Sequence, residues 1–194
     1  LEELNRERQA VEDRILREAV AQVEAWPESR QRRRGYVVAH EDWHEGVIGI
    51  VASRLVERFH RPVVLIAGTD GDWKGSGRSI PSFDLHAALG ACSEHLSRFG
   101  GHRAAAGLSI DPAGLAVFAE AFGEAVDAEL PEEELRPTIA VDAVVSGEEL
   151  TLDLSTELGQ LAPFGLGNPG VTLLLPSCDL FDVTPTADGK HLRF

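Results

Sequence analysis

Between Tyr36 and Pro131 short apolar runs take turns with stretches of helical periodicity, a pattern that few architectures absorb. Tyr36-Val37-Val38-Ala39 reads as a short strand. Val47 to His60 reads as a helix, with Ile48, Val51, Leu55 and Phe59 on one face. Val63-Val64-Leu65-Ile66-Ala67, after Pro62, has the unbroken apolarity of a strand covered on both sides. A Gly-rich strand follows from Trp73 to Ile80, then a helix from Phe83 to Phe99 capped by Ser82 or Asp84, then a strand from Gly107 to Ile110. Asp111-Pro112 opens a further helix ending near Pro131, with Asp as the cap and Pro at the first helical position. Strands separated by helices predict an α/β domain over 35–131: a mostly parallel sheet with helices on both faces.

The flanks differ. Leu4, Val11, Ile15, Ala19, Val23 and Trp26 recur at steps of seven, four and three, predicting one long helix over 1–25. The pairs Glu2/Arg6 and Asp13/Arg17 support it by roughly 0.3 kcal/mol each. Its apolar stripe is narrower than a core helix needs and suits a connector that lies across one domain and tethers another. Pro27 ends it, and Glu28 to Arg34 is a polar linker carrying Arg30, Arg32, Arg33 and Arg34, either a solvated loop or a contact for a nucleic-acid backbone. Connector and linker thus take up 1–34. Composition shifts again at Pro131-Glu132-Glu133-Glu134. In 132–194, Thr138 to Val145 alternates like a strand and Leu150 to Leu161 reads as helical. Val171 to Leu175, Cys178 to Thr184 and His191 to Phe194 read as strands, with Asp188-Gly189 as a hairpin turn: the opening of a small β-barrel.

No run of about 18 apolar residues occurs, which excludes a membrane-spanning helix, and no secretory signal opens the chain. Cys92 and Cys178 make neither a disulfide framework nor a Cys-rich zinc site, and read as small buried hydrophobes in a reducing cytoplasm. Methionine is absent, the chain starts at Leu1, and it stops at Phe194 inside a strand pattern, so an excised piece of a larger protein is expected. The net charge of −14 argues against a wholly basic binding surface. Its distribution leaves room for a local one, because residues 111–194 carry −13 while 1–34 sum to 0 and 35–110 to −1. Of the 18 basic residues 16 are Arg, the side chain that offers phosphate a planar, two-pronged donor.

Two motif matches fail on context. His40-Glu41-Asp42-Trp43-His44 has the zincin spacing, but a strand pattern ends at Ala39 and Gly46 follows, so the two histidines do not share a helix face. Gly165-Leu166-Gly167-Asn168-Pro169-Gly170 has the dinucleotide spacing, but it is bracketed and interrupted by Pro163 and Pro169 and reads as a rigid turn. There is no Walker A sequence and no Gly-x-Ser-x-Gly elbow. Three segments in the middle third carry polar residues that a plain core does not need. Trp43-His44-Glu45-Gly46 opens a helix carrying Ser53 and Arg54, and a helix N-terminus suits an anion. Lys74-Gly75-Ser76-Gly77-Arg78-Ser79 pairs phosphate donors with glycines that let a backbone approach a ligand. Phe99-Gly100-Gly101-His102 joins a sharp turn with bare N–H groups to a histidine donor.

These segments resemble those of a known family. Trp43-His44-Glu45-Gly46-Val47-Ile48-Gly49-Ile50-Val51-Ala52-Ser53-Arg54 is similar to the opening motif of the DHHA1 domain in RecJ-type single-stranded-DNA exonucleases. Gly75 to Ile80 with Phe83-Asp84-Leu85 resembles the second motif, and Phe99 to His102 with Ala104-Ala105-Ala106-Gly107 the Gly-Gly-His motif. Pro163 to Pro169 resembles a segment of the OB-type domain that follows in that family. The resemblance implies a parent that hydrolyses single-stranded DNA 5′ to 3′ in repair and recombination. Mn²⁺ or Mg²⁺, held by an Asp-His-His (DHH) domain ahead of the connector, would activate the water. This chain has no Asp-His-His, so it is expected to bind no metal, to be inactive alone, and to form the other wall of the cleft. By the same resemblance Ser76, Arg78, Gly101 and His102 contact backbone phosphates, with Lys74, His44 and Arg54 as further contacts. The partners implied are single-stranded DNA, the DHH domain and replication or repair proteins, in the cytoplasm and without a membrane. Two alternatives remain: a non-catalytic module docking onto repair proteins through its acidic end, and a DHHA1-type phosphodiesterase of short oligonucleotides or cyclic dinucleotides.

Overall fold

The computed structural model describes residues 2–68, 70–165, 167–187, 189 and 191–194. The chain divides into two units, Leu1–Pro137 and Thr138–Phe194. The first contains the helices α1 (Glu2–Glu24), α2 (Glu28–Gln31), α3 (Glu45–Phe59), α4 (Leu85–Ala91) and α5 (Leu115–Glu129). Its strands are β1 (Tyr36–His40), β2 (Val63–Ala67), β3 (Trp73–Arg78), β4 (Arg98–Gly101) and β5 (Ala105–Ile110), in the spatial order β1-β2-β3-β5-β4.

The sheet is mixed, not mostly parallel as the alternation predicts. Only β1 and β2 are parallel; β2–β3, β3–β5 and β4–β5 are all antiparallel. Connection length decides this. A parallel crossover takes about a dozen residues or more, which the α3 segment supplies. Only 68–72 join β2 to β3, and only 102–104 join β4 to β5, so each of those pairs turns straight back. The stretch expected as one helix from Phe83 to Phe99 is likewise broken. Asp84 caps α4 by accepting from the Ala87 N–H at 3.0 Å, the helix stops at Ala91, and residues 98–101 form the edge strand β4. The open edge of β5 offers them ladder hydrogen bonds, and that outweighs a helical spacing of apolar residues.

Helices do cover both faces. Along β2, Val63, Leu65 and Ala67 point into a core with α1 and α3, while Val64 and Ile66 point into one with α4 and α5, where Phe118 and Phe122 are fully buried. The narrow stripe of α1 belongs to the core rather than lying across it. Ile15 and Ala19 have no exposed surface, because packing against α3 and the adjoining strand β1 needs only a seam. Polar bonds fasten the same contact. Buried Glu12 accepts from Arg8 at 2.8 Å and from Arg54 at 3.1 Å, Trp43 Nε1 donates to Glu18 at 2.8 Å, and Arg58 pairs with Glu24 at 3.0 Å. Within the Arg-rich linker Arg30 and Arg32 stay exposed, while Arg33 and Arg34 are folded down. Arg33 pairs with Glu120 and Asp127, and Arg34 donates to the carbonyls of Asp127 and Leu130 at the end of α5.

The second unit holds α6 (Leu152–Gly159), capped by Thr151, and two short ladders. Strand β6 (Ala143–Val144) runs parallel to β7 (Leu173–Leu174), and β8 (Thr184–Pro185) antiparallel to β9 (Leu192–Arg193). No barrel closes among the described residues, and the longer strands expected over 138–145, 171–175 and 178–184 contract to these pairs. Ile139, Leu152, Phe181 and Phe194 remain exposed, so no packed face extends the ladders. The Gly165 and Asn168 backbones exchange hydrogen bonds of 2.8 and 3.0 Å, closing a turn and not a nucleotide loop; Leu166 lies outside the described residues. Of the expected Asp188-Gly189 turn, Asp188 also lies outside them, while Gly189 donates to the Thr186 carbonyl. Cys92 is buried, which pushes its thiol pKa up; Cys178 is exposed, against expectation, in a segment with little packed around it. No helix among the described residues is long and apolar enough to cross a membrane.

Candidate nucleic-acid interface

Strand β3 sorts its residues by face. Gly75 and Gly77 point into the α4/α5 core, and the reason they are glycine is there rather than at a ligand. A Cβ at Gly75 would stand 2.6 Å from the Leu108 side chain, and one at Gly77 2.8 Å from Leu85. Lys74, Ser76 and Arg78 therefore share the opposite face. There the Arg78 guanidinium donates to Ser76 Oγ at 3.0 Å and to the Gly77 carbonyl at 2.8 Å. It also lies against α3 at Gly49, where a Cβ would approach Arg78 Nη2 to 2.9 Å and Ser76 Oγ to 3.1 Å. The guanidinium fits in the notch that the missing side chain leaves.

Register carries the arrangement across the sheet. Lys74 lies opposite Ser109 and Ser109 opposite Arg98; Ser76 opposite Gly107 and Gly107 opposite Gly100; Arg78 opposite Ala105. His102 and Ala105 exchange backbone hydrogen bonds of 2.8 and 3.3 Å, which extends this third rung to His102. Directly opposed residues of antiparallel strands point to the same face. The exposed sheet face thus has Lys74, Ser76 and Arg78 along one side, Arg98 and His102 along the other, and Ser109, Gly107 and Ala105 as a floor. Adjacent strands are about 4.8 Å apart, so the two sides stand roughly 10 Å apart. Lys74 Nζ donates to Ser109 Oγ at 3.0 Å. Among the described residues, Lys74, Arg78 and Arg98 have no carboxylate partner, whereas neighbouring Arg103 is turned to Asp84.

Gly101 closes the hairpin at this end. Its φ is +142°, and a Cβ there would meet the Ala105 carbonyl oxygen and Ala106 Cα at 2.5 Å, so no other residue fits. Because His102 takes the bonds to Ala105, the Gly101 N–H is directed to the free edge of β4 as an available donor.

Sequence reasoning picked out Lys74, Ser76, Arg78, Gly101 and His102; the fold sets Lys74, Ser76, Arg78 and His102 on one face of the sheet, with Lys74 at the far end of β3 from Arg78 and with the Gly101 backbone in the hairpin beside Arg78. The other two are engaged elsewhere. His44 is the N-cap of α3, its Nδ1 accepting from the Gly46 N–H at 3.0 Å. Arg54 faces α1, bound to Asp13 at 2.8 Å and to Glu12 at 3.1 Å. The Asp13 hydrogen bond, with Glu12 adding to it, raises the pKa of that guanidinium further still. Sequence reasoning missed Arg98, hidden inside the expected helix, and Gly49. A glycine inside an amphipathic helix costs about 1 kcal/mol against alanine, and that misfit was the available signal. No group of three His, Cys, Asp or Glu that fits a metal ion occurs among the described residues, the His40–His44 segment included.

A mixed sheet layered between helices, with a glycine-floored cationic face ending in a Gly-Gly-His hairpin, is the arrangement of a DHHA1 domain, and residues 33–128 match the model of that family. More specifically, the chain belongs to the RecJ family. It is 37% identical to the single-stranded-DNA-specific exonuclease RecJ of Bacillus subtilis over 197 residues, covering 100% of this chain and 25% of that protein. It is also 37% identical to the RecJ of Escherichia coli, covering 85% of this chain and 30% of that protein. Among solved structures, RecJ of Thermus thermophilus in complex with Mg²⁺ superimposes with a TM-score of 0.78 at 34% identity, over 98% of this chain and 29% of that one. The chain therefore spans between a quarter and a third of the length of these relatives.

Proposed function

We propose that the first unit holds the sugar–phosphate backbone of single-stranded DNA within a RecJ-type 5′-to-3′ exonuclease of repair and recombination. Ser76, Arg78, Gly101 and His102 receive the phosphate nearest the cleaved bond, and Lys74 extends the contact. The observation that carries this reading is the shared face: cationic donors that have no carboxylate partner among the described residues border a floor of small residues, a shape that admits a sugar–phosphate backbone. Hydrolysis, with Mn²⁺ or Mg²⁺, falls to a DHH domain of the longer protein. Two observations support that division: the sequence carries no Asp-His-His, and the chain covers only 25% and 30% of the two RecJ proteins it matches. Residues 1–34 serve as connector and linker, 35–131 as the DHHA1 domain, and 132–194 as the opening of an OB-type β domain, all in the cytoplasm.

Titration of a fluorescent single strand with the 194-residue chain tests the proposal. Three or four phosphate contacts, each contributing about −0.7, give a log–log salt slope of roughly −2 to −3. Arg78→Ala weakens binding by a similar factor on every base sequence. A slope near zero, or no binding at low salt, overturns the reading. The chain alone leaves the strand intact in Mn²⁺ or Mg²⁺, and metal-dependent degradation refutes the division of labour.

A further inference from the structure

We propose that the same face carries a second phosphodiester subsite, formed by Lys74, Ser109 and Arg98 and separate from the one around Arg78. The inference deepens the proposed function and rests on it. Lys74 and Arg98 come from strands that are not neighbours, β3 and β4, yet register sets both opposite Ser109 on β5. Two cations thus bracket one hydroxyl, which already accepts from Lys74 Nζ at 3.0 Å. Beside them a shallow cavity of about 310 Å³ is lined by Arg98, Phe99, Gly100, Gly107, Leu108 and Ser109. Nothing fills its floor: a Cβ on Gly100 would meet no atom within 4 Å, and one on Gly107 only the Gly75 carbonyl oxygen at 3.8 Å. Arg98 is exposed and has no carboxylate partner among the described residues, so packing gives it no role in the fold. The subsite lies two residues along β3 from Ser76, about 7 Å at the rise of an antiparallel strand. One sugar–phosphate unit of an extended single strand spans that distance. A backbone lying down the floor of β5 therefore places one phosphate at Ser76 and Arg78 and the next between Lys74 and Arg98. Both subsites recognise the same chemistry, the anionic oxygens of a phosphodiester, through charge-assisted donors.

The test is titration of the full chain and its variants with 3′-labelled hexathymidylate across a salt series. Arg98→Ala is expected to weaken binding about tenfold, as for one lost charge-assisted bond, and to reduce the salt slope by about 0.7. Arg98→Lys keeps the charge and most of the slope. Because they hold one phosphate, Lys74→Ala adds little once Arg98 is gone, whereas Arg78→Ala and Arg98→Ala add fully. In hexathymidylates with a single neutral methylphosphonate linkage, two adjacent linkages are sensitive in the unaltered chain, and Arg98→Ala abolishes the sensitivity of one of them. Unchanged affinity and slope in Arg98→Ala, alongside weakened binding in Arg78→Ala, overturn the second subsite and leave the first standing. Strong coupling between Arg78 and Arg98 merges the two into one and also overturns it. If Arg78→Ala too is without effect, the proposed function falls with it.

Discussion

Replacing Gly49 by alanine separates what the fold needs from what the site needs. Gly49 lies inside α3, where alanine is favoured over glycine by about 0.8–1.0 kcal/mol. Opposing this, the new methyl would stand 2.9 Å from Arg78 Nη2 and 3.1 Å from Ser76 Oγ. The atom in the way is the far end of a flexible side chain, so the guanidinium swings aside and its bond to Ser76 is lost, at about 1 kcal/mol. The two terms nearly cancel. For a chain of this size 1 kcal/mol moves the melting temperature by roughly 2–4 °C, so the expected shift is under about 2 °C in either direction. Binding responds differently. A misplaced guanidinium forfeits a charge-assisted bond to phosphate, about 1.5 kcal/mol or roughly a tenfold weaker Kd for single-stranded DNA. Thermal unfolding followed by circular dichroism, and anisotropy titration of the same preparation, give both readings. A Gly49→Ala chain that binds as before while Arg78→Ala binds weakly refutes the notch; one that melts 5 °C or more lower shows that the backbone cannot accept the methyl.

Other outcomes follow from the core and its fastenings. Phe122→Ala removes a fully buried ring between α5 and the sheet and lowers unfolding free energy by about 3–5 kcal/mol in a denaturant titration. Arg54→Ala breaks the half-exposed ties to Glu12 and Asp13, costs about 1 kcal/mol by the same measurement, and leaves the salt slope of DNA binding unchanged. Tyr36 is the single tyrosine, and burial raises its phenol pKa above 10.0, against a smaller opposing pull from Arg61. Its share of stability is therefore complete below pH 10 and declines as pH rises through the folded value, because the unfolded chain ionises first. Phenolate absorbance in the native chain rises only above pH 10, and a native transition below that contradicts the burial argument.

Much of the candidate site was legible because its residues are local in sequence. Lys74, Ser76 and Arg78 alternate along five positions, and the Gly-Gly-His turn announces itself by its glycines. The apolar runs of β1 and β2 and the cap-and-proline start at Asp111 were equally plain, since periodicity and capping are decided by near neighbours. What escaped depended on partners distant in the chain. Strand β4 exists only because β5 offers it an edge, and Arg98 became visible only once β4 did. Gly75 and Gly77 were read as making room for a ligand, whereas the side chains that need the space, Leu108 and Leu85, are brought against them by the folding of β5 and α4 over β3 and not by any periodicity in the sequence. Strand direction was misjudged because alternation of elements does not encode it, whereas loop length does.

The two-sided division of β3 has an evolutionary consequence. Sliding the strand by a single position would bury a lysine, a serine and an arginine against Leu85 and Leu108 and leave bare glycine where the ligand is proposed to lie. Misalignment is thus penalised twice by one event, so selection for folding and selection for grip police the same hydrogen-bond ladder. A lineage that abandoned the proposed ligand would be free to lose its cations, but it would still have to keep their spacer glycines. The remnant Gly-x-Gly would outlive any such binding as a fossil of it.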